Sequence, residues 1–177
     1  PGPSAARLVW DEVGDDDQLF VAASWPVRHL EAHAATRNGL QVFGNRGAGN
    51  GQFQYPACCA LDDEGNLVVC DYGNHRIQVL RYSDGAHLRT IGSQGAGNGQ
   101  FSNPMGIAFD GAGHILVAEY GNHRVQMLRY SDGAHVRTIG SKGSGNGQFA
   151  NPNGVAVDGE GRVVVCEWNG HRVQVLE

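Results

Sequence analysis

Three times along the 177-residue chain an acid, a histidine and an arginine recur at one spacing: Asp71/His75/Arg76, Glu119/His123/Arg124 and Glu167/His171/Arg172. An acid four residues before a histidine could run general acid–base chemistry, and clustered imidazoles and carboxylates could ligate a metal. The recurrence argues for a different role. A reactive centre is usually singular, whereas the hydrogen bonds that hold a repeated unit together repeat with it. Each carboxylate is therefore expected to accept from Arg or His across a turn, or from the neighbouring unit. Equivalent turns of successive units also lie too far apart for three histidines to share one zinc, whose ligands sit at about 2 Å. No catalytic residue, metal ligand or cofactor is assigned.

The remaining motifs are weaker. Gly47–Gln52, Gly95–Gln100 and Gly143–Gln148 resemble phosphate-cradling loops but lack the Gly-Lys-Ser/Thr that should follow and the helix it opens. They are expected to be crossovers between units, where glycine permits positive φ. There is no Gly-x-Ser-x-Gly elbow and no His-Glu-x-x-His helix motif. Cys58, Cys59, Cys70 and Cys166 make no paired Cys-x-x-Cys, so a zinc ribbon is not expected. Cys58 and Cys70 become cross-strand neighbours if Leu61 pairs with Leu67, and the cysteines are expected to be reduced thiols.

Composition bounds the partners. The formal charge is −5 with histidines neutral, and Lys142 is the sole lysine. That balance opposes a basic nucleic-acid footprint. No apolar run approaches the roughly 20 residues of a membrane span. The compartment is not legible.

The elements that must position these residues follow from a 48-residue repeat: Gly44/Gly92/Gly140, Phe53/Phe101/Phe149 and His75/His123/His171 all keep that offset. Between Tyr72–Ile91 and Tyr120–Ile139, 17 of 20 residues are identical. Glycine makes up 27 of the 177 residues, and short β-branched runs are separated by Gly, Asn and Asp turns. This is an all-β signature of successive hairpins. In the third unit the strands are expected at Met105–Asp110, His114–Glu119, Arg124–Tyr130 and His135–Ile139. Four short strands per repeat predict blades of a β-propeller. The expected division is a degenerate first blade over 1–44, blade 2 over 45–92, blade 3 over 93–140, and blade 4 over 141–177 without its outer strand. Three full blades and an incomplete fourth make an open arc, or part of a longer ring. In the first unit Asp15-Asp16-Asp17 fits a polar cap, and Ser24-Trp25-Pro26-Val27-Arg28 replaces the Asn-His turn.

Asn74-His75-Arg76-Ile77-Gln78-Val79-Leu80, Asn122-His123-Arg124-Val125-Gln126 and the upstream Gly-x-Gly-x-Gly-Gln-Phe-x-x-Pro-x-Gly-x-Ala-x-Asp stretches (95–110 and 143–158) resemble the NHL repeat. The resemblance is strong over 45–177 and weak over 5–44. It implies a propeller in which the turns between the second and third strands of each blade share one face with the crossovers. That face would display Tyr72, Asn74, Arg76, Tyr120, Asn122, Arg124, Trp168, Asn169 and Arg172. Aromatic and arginine side chains suit protein hot spots, so the expectation is a non-catalytic scaffold for other protein chains. A partner is expected at the unpaired edge of the last blade. Two alternatives come with the resemblance: a lyase or hydrolase with a channel metal site, and the RNA- or substrate-recognition module of a ubiquitin-ligase-type protein. The inner strands offer mostly Gly, Ala and Pro with Met105, Asn153 and Cys58 or Cys59, which does not favour the first. The acidic balance does not favour RNA.

Overall fold

Residues 44–177 are described by the structure, a computed structural model. The expectations placed on the first unit, its Asp15-Asp16-Asp17 turn included, lie outside these residues. The described part is nearly all β. A short β1 (Asn45–Arg46) pairs in parallel with β2 (Gln52–Phe53) around the first glycine-rich crossover. Then follow β3 (Pro56–Leu61), β4 (Leu67–Asp71), β5 (Arg76–Leu80) and β6 (His87–Ile91), one antiparallel sheet in sequential order. Blade 3 repeats it with β7 (Pro104–Phe109), β8 (His114–Glu119), β9 (Arg124–Arg129) and β10 (His135–Ile139). After the crossover pair β11 (Ser141–Lys142) and β12 (Gln148–Phe149) comes a three-stranded sheet. Its strands are β13 (Pro152–Val157), β14 (Val163–Glu167) and β15 (Arg172–Leu176). No helix of the described residues is long and apolar enough to cross a membrane.

Alternation along the strands builds the core, because successive residues point to opposite faces of a sheet. On β8, Ile115 and Val117 pack toward blade 2, into one cluster with Val68, Cys70, Ile77 and Phe101. Their neighbours Leu116 and Ala118 pack toward blade 4, into a second cluster with Val125, Phe149, Val163 and Val165. The core is thus a series of dry seams between sheets, each needing two blades. Two glycines show how tight the seams are. A side chain on Gly140 (φ 78°) would strike the Phe149 ring at 2.3 Å. One on Gly106 would meet the backbone of β13, at 2.8 Å from the Asn153 carbonyl oxygen and 3.1 Å from the Gly154 Cα.

On the outer side, Tyr130 bolts blade 3 to blade 2. Its hydroxyl donates to Asp62 Oδ2 at 2.8 Å, the Arg89 guanidinium stands 4.3 Å over its ring, and Phe109 meets it edge-on at 5.0 Å. Burial and the Asp62 hydrogen bond push this phenol well above its ordinary range.

Leu61 faces Leu67 and Cys58 faces Cys70 in the β3–β4 register. All four cysteines are free thiols, Cys70 fully buried and Cys166 exposed.

Candidate functional site

The recurring acids stand at the ends of the second strands, where each blade turns back at one rim. Asp71 and Glu119 are completely buried and Glu167 nearly so. An unpaired buried carboxylate would be costly, so its partners decide whether it can stay charged. In blade 3, Glu119 accepts from Arg124 Nε at 2.5 Å, Gln126 Nε2 at 2.8 Å, Asn122 Nδ2 at 2.5 Å and the Ser102 backbone N–H at 3.0 Å. Asp71 takes the same four kinds of donor from Arg76, Gln78, Asn74 and the Gln54 backbone. Glu167 takes three, from Arg172, Gln174 and the Ala150 backbone. Burial alone would raise the Glu167 carboxyl. The N–H of Ala150 and the side chains of Arg172 and Gln174 outweigh it and hold the group below its ordinary 4.5.

The donors are spent as fully as the acceptors. Beyond Glu119, the Arg124 guanidinium donates to the carbonyls of Ala96, Gly97 and Gln100 at 2.8, 2.8 and 3.1 Å. Arg76 and Arg172 hold the corresponding crossovers. Asn74 and Asn122 also donate to Gly47 and Gly95. Gln126 accepts from Gly99 N–H and donates to the Gln100 carbonyl. Each cluster therefore clamps the glycine-rich crossover onto the turn between the second and third strands of its blade. Among the described residues no buried side-chain nitrogen or oxygen lacks a hydrogen-bond partner. No three His, Cys, Asp or Glu side chains of the described residues gather as a metal site.

The histidines are not part of these clusters. His75 and His123 sit in left-handed backbone, φ 55° and 56°, and turn outward to the next blade. There His75 Nδ1 accepts the Asn103 N–H at 3.0 Å and His123 Nδ1 the Asn151 N–H at 3.1 Å. Accepting at Nδ1 requires that nitrogen to be unprotonated. The two asparagines, also left-handed, return a side-chain bond to the carbonyls of Tyr72 and Tyr120. Burial, with the Lys142 charge, holds His123 below its ordinary 6.5. The acid–His–Arg triplets are thus two devices interleaved in sequence: an intrablade clamp and an interblade latch.

The expected turn face divides accordingly. Arg76, Arg124, Arg172, Asn74 and Asn122 are drawn into the clamps. Tyr72 and Tyr120 are half-buried at the rim, and Trp168 is 62% exposed. Asn169 is not the counterpart of Asn74 and Asn122. The fourth turn inverts Gly-Asn to Asn169-Gly170, so Gly170 takes that place and Asn169 bonds Asn151 Oδ1 at 2.8 Å. Sequence reasoning missed the glutamines at 78, 126 and 174 and the asparagines at 103 and 151. The glutamines and His75/His123/His171 recur at the same offset, and that was the available signal.

The NHL repeat profile matches residues 53–80, 101–127 and 149–176, each span running from the buried phenylalanine through the third strand of a blade. No curated protein sequence matches the chain. Among solved structures, a Bacteroides thetaiotaomicron protein of unknown function superposes with a TM-score of 0.58 at 18% identity, over 67% of this chain and 34% of that one. A catalytically inactive virginiamycin B lyase from Staphylococcus aureus, crystallised with quinupristin, gives 0.53 at 14% identity, over 75% and 39%. A chain of the nidogen/laminin complex gives 0.52 at 20% identity, over 69% and 43%. What is shared at such identities is the β-propeller fold, and the chain spans well under half the length of these structures.

Proposed function

The chain is an NHL-repeat protein with the β-propeller fold, and from that premise we propose that it is a non-catalytic scaffold that binds other protein chains. One observation carries this reading. The residues with reactive potential, the recurring acids and arginines, are consumed by the clamps that hold each crossover to its blade. What the rim offers outward is a stiff row of turns with aromatic side chains, of which Trp168 is the most exposed large apolar residue described. Rigid aromatics on a preorganised frame favour protein recognition, because little entropy is lost when they bind. The outer edge of β15 adds main-chain groups to which a partner strand could pair. Guanidiniums already aimed at two carbonyls (Arg76) or three (Arg124 and Arg172) have little left for phosphate, which weighs against the RNA alternative.

Variants of the full chain test the reading. Trp168→Ala should weaken binding of a co-purifying protein chain about tenfold or more while leaving Tm unchanged, since the side chain is exposed. Arg124→Ala should lower Tm. Undiminished binding by both Trp168→Ala and Tyr120→Ala would overturn the proposal, as would turnover of an ester, lactone or peptide by the purified chain.

A further inference from the structure

We propose that the Asn169-Gly170 turn of blade 4 is a self-modification site, at which the asparagine loses its amide nitrogen and becomes an aspartyl or isoaspartyl residue. The site does not depend on whether this rim binds protein. An asparagine is attacked at its side-chain carbonyl carbon by the backbone nitrogen of the residue that follows, and glycine offers that nitrogen with no side chain in the way. The described residues hold five Asn-Gly pairs, opened by Asn50, Asn98, Asn146, Asn153 and Asn169. Asn153-Gly154 is half-buried and lies in β13, paired to β14. The other four look alike from outside: in each the asparagine is exposed and the glycine half-buried. Exposure therefore does not separate them.

The attacking nitrogen does. At the three crossovers the N–H groups of Gly51, Gly99 and Gly147 donate to Oε1 of Gln78, Gln126 and Gln174, each at 2.9 Å. Such a nitrogen must give up that bond before it can attack. Blades 2 and 3 carry Gly73-Asn74 and Gly121-Asn122 at the rim turn, with histidine after the asparagine. Blade 4 inverts the order, and the Gly170 N–H has no hydrogen-bond partner among the described residues. Contacts at this turn come from the blade itself: Gly73 and Gly121 donate to Gln54 and Ser102, and Asn169 to Ala150. Gly147 and Gly170 belong to the same blade, so their difference is local. In the reaction the Gly170 nitrogen gives its proton to solvent base and bonds to Asn169 Cγ. The Cγ–Nδ2 bond breaks, and Nδ2 leaves as ammonia with a proton from water. Water then opens the cyclic imide at Cγ, giving aspartate, or at the main-chain carbonyl carbon, giving isoaspartate; nothing is oxidised or reduced. Either product lacks the Nδ2 that donates to Asn151 Oδ1 at 2.8 Å. A hydrogen bond is thus exchanged for a negative charge beside Trp168.

Peptide mass analysis of the full chain, aged in mildly alkaline buffer, tests this, because amide and acid differ in mass and the isoaspartyl peptide elutes apart. Asn169 should convert about tenfold or more faster than Asn98 and Asn146, one hydrogen bond's worth of protection. In the urea-unfolded chain the rates should converge, since the dipeptide is the same at each site. Gln126→Ala should raise conversion at Asn98 about tenfold and leave Asn169 as it was. Should that variant unfold, amide hydrogen exchange of the unaltered chain reads the same difference, with Gly99 and Gly147 slow and Gly170 fast. Asn169→Gly combined with Gly170→Asn, which restores the order of blade 3, should end conversion at this turn. Conversion of Asn98 and Asn146 as fast as that of Asn169 in the folded chain would overturn the proposal. So would an Asn169 that is stable when folded yet converts in urea, because the turn would then be protective. Equal exchange at Gly99 and Gly170 would overturn it as well.

Discussion

Blade 3 and blade 4 are close to the same sequence, yet among the described residues blade 3 has a sheet on both sides and blade 4 on one. Val125 is completely buried where its counterpart Val173 is 59% exposed. Glu119 is held by four kinds of donor and Glu167 by three, because Gly170 stands where blade 3 has Asn122. His123 latches onto Asn151, whereas the ring of His171 has no partner among the described residues. The lesson is that a propeller blade is not a self-sufficient unit. Its intrablade clamp forms wherever the repeat is written, but its apolar seam and its histidine latch exist only through a neighbour.

The largest expected break between the two blades is at the carboxylates. Glu119→Ala leaves an arginine, a glutamine and an asparagine with unpaired donors and should cost about 3–5 kcal/mol in urea unfolding. Glu167→Ala should cost distinctly less, since its arginine is 29% exposed against 13% for Arg124 and there is no asparagine to orphan. Equal losses would show that the clamp's strength is independent of the neighbouring blade.

A smaller contrast lies at paired glycines. Gly106→Ala drives a methyl into the backbone of β13 and should cost about 1–3 kcal/mol. Gly154→Ala meets only Cys166, with 3.4 Å between the β-carbons, and should stay within about 0.5 kcal/mol. Similar in size, Val125→Ala should cost about 2 kcal/mol for lost burial and the cavity it leaves. Val173→Ala should be silent within about 0.5 kcal/mol, and a large effect there would mean that the outward face of blade 4 is already covered.

The finest contrast is in pH. His123 is held below 6.5 when folded, so the unfolded chain takes up the proton first as pH falls. Stability from this latch is complete above the unfolded value and is lost as pH drops through it toward the folded one. Thermal unfolding from about pH 7.5 to about pH 5.5 should therefore show a falling Tm that is shallower in His123→Ala. An equal slope in the variant would place the acid sensitivity elsewhere.

Much of this was legible without coordinates. The four strands expected in blade 3 match β7 to β10 within a residue at each end, because hairpin turns rich in Gly, Asn and Asp fix strand limits locally. The structural role of the repeated triplets was legible from their recurrence. Their division of labour was not, because the carboxylate's partners lie 17 residues back and 5 and 7 residues ahead, and the histidine's lies 28 residues on. Spacing along a strand says which face a residue takes, not what will stand opposite it.

By itself the sequence determined the repeat length, the all-β hairpins, the NHL resemblance and the identity of the residues that would recur. Only the tertiary structure decided that the arginines and asparagines are spent inside the blade, that the histidines reach across to the next one, and that blade 4 leaves its apolar face and His171 without a neighbour among the described residues. The reason is physical: hydrogen bonding within a hairpin is local and can be read from the chain, whereas burial belongs to pairs of surfaces and exists only once two blades have met.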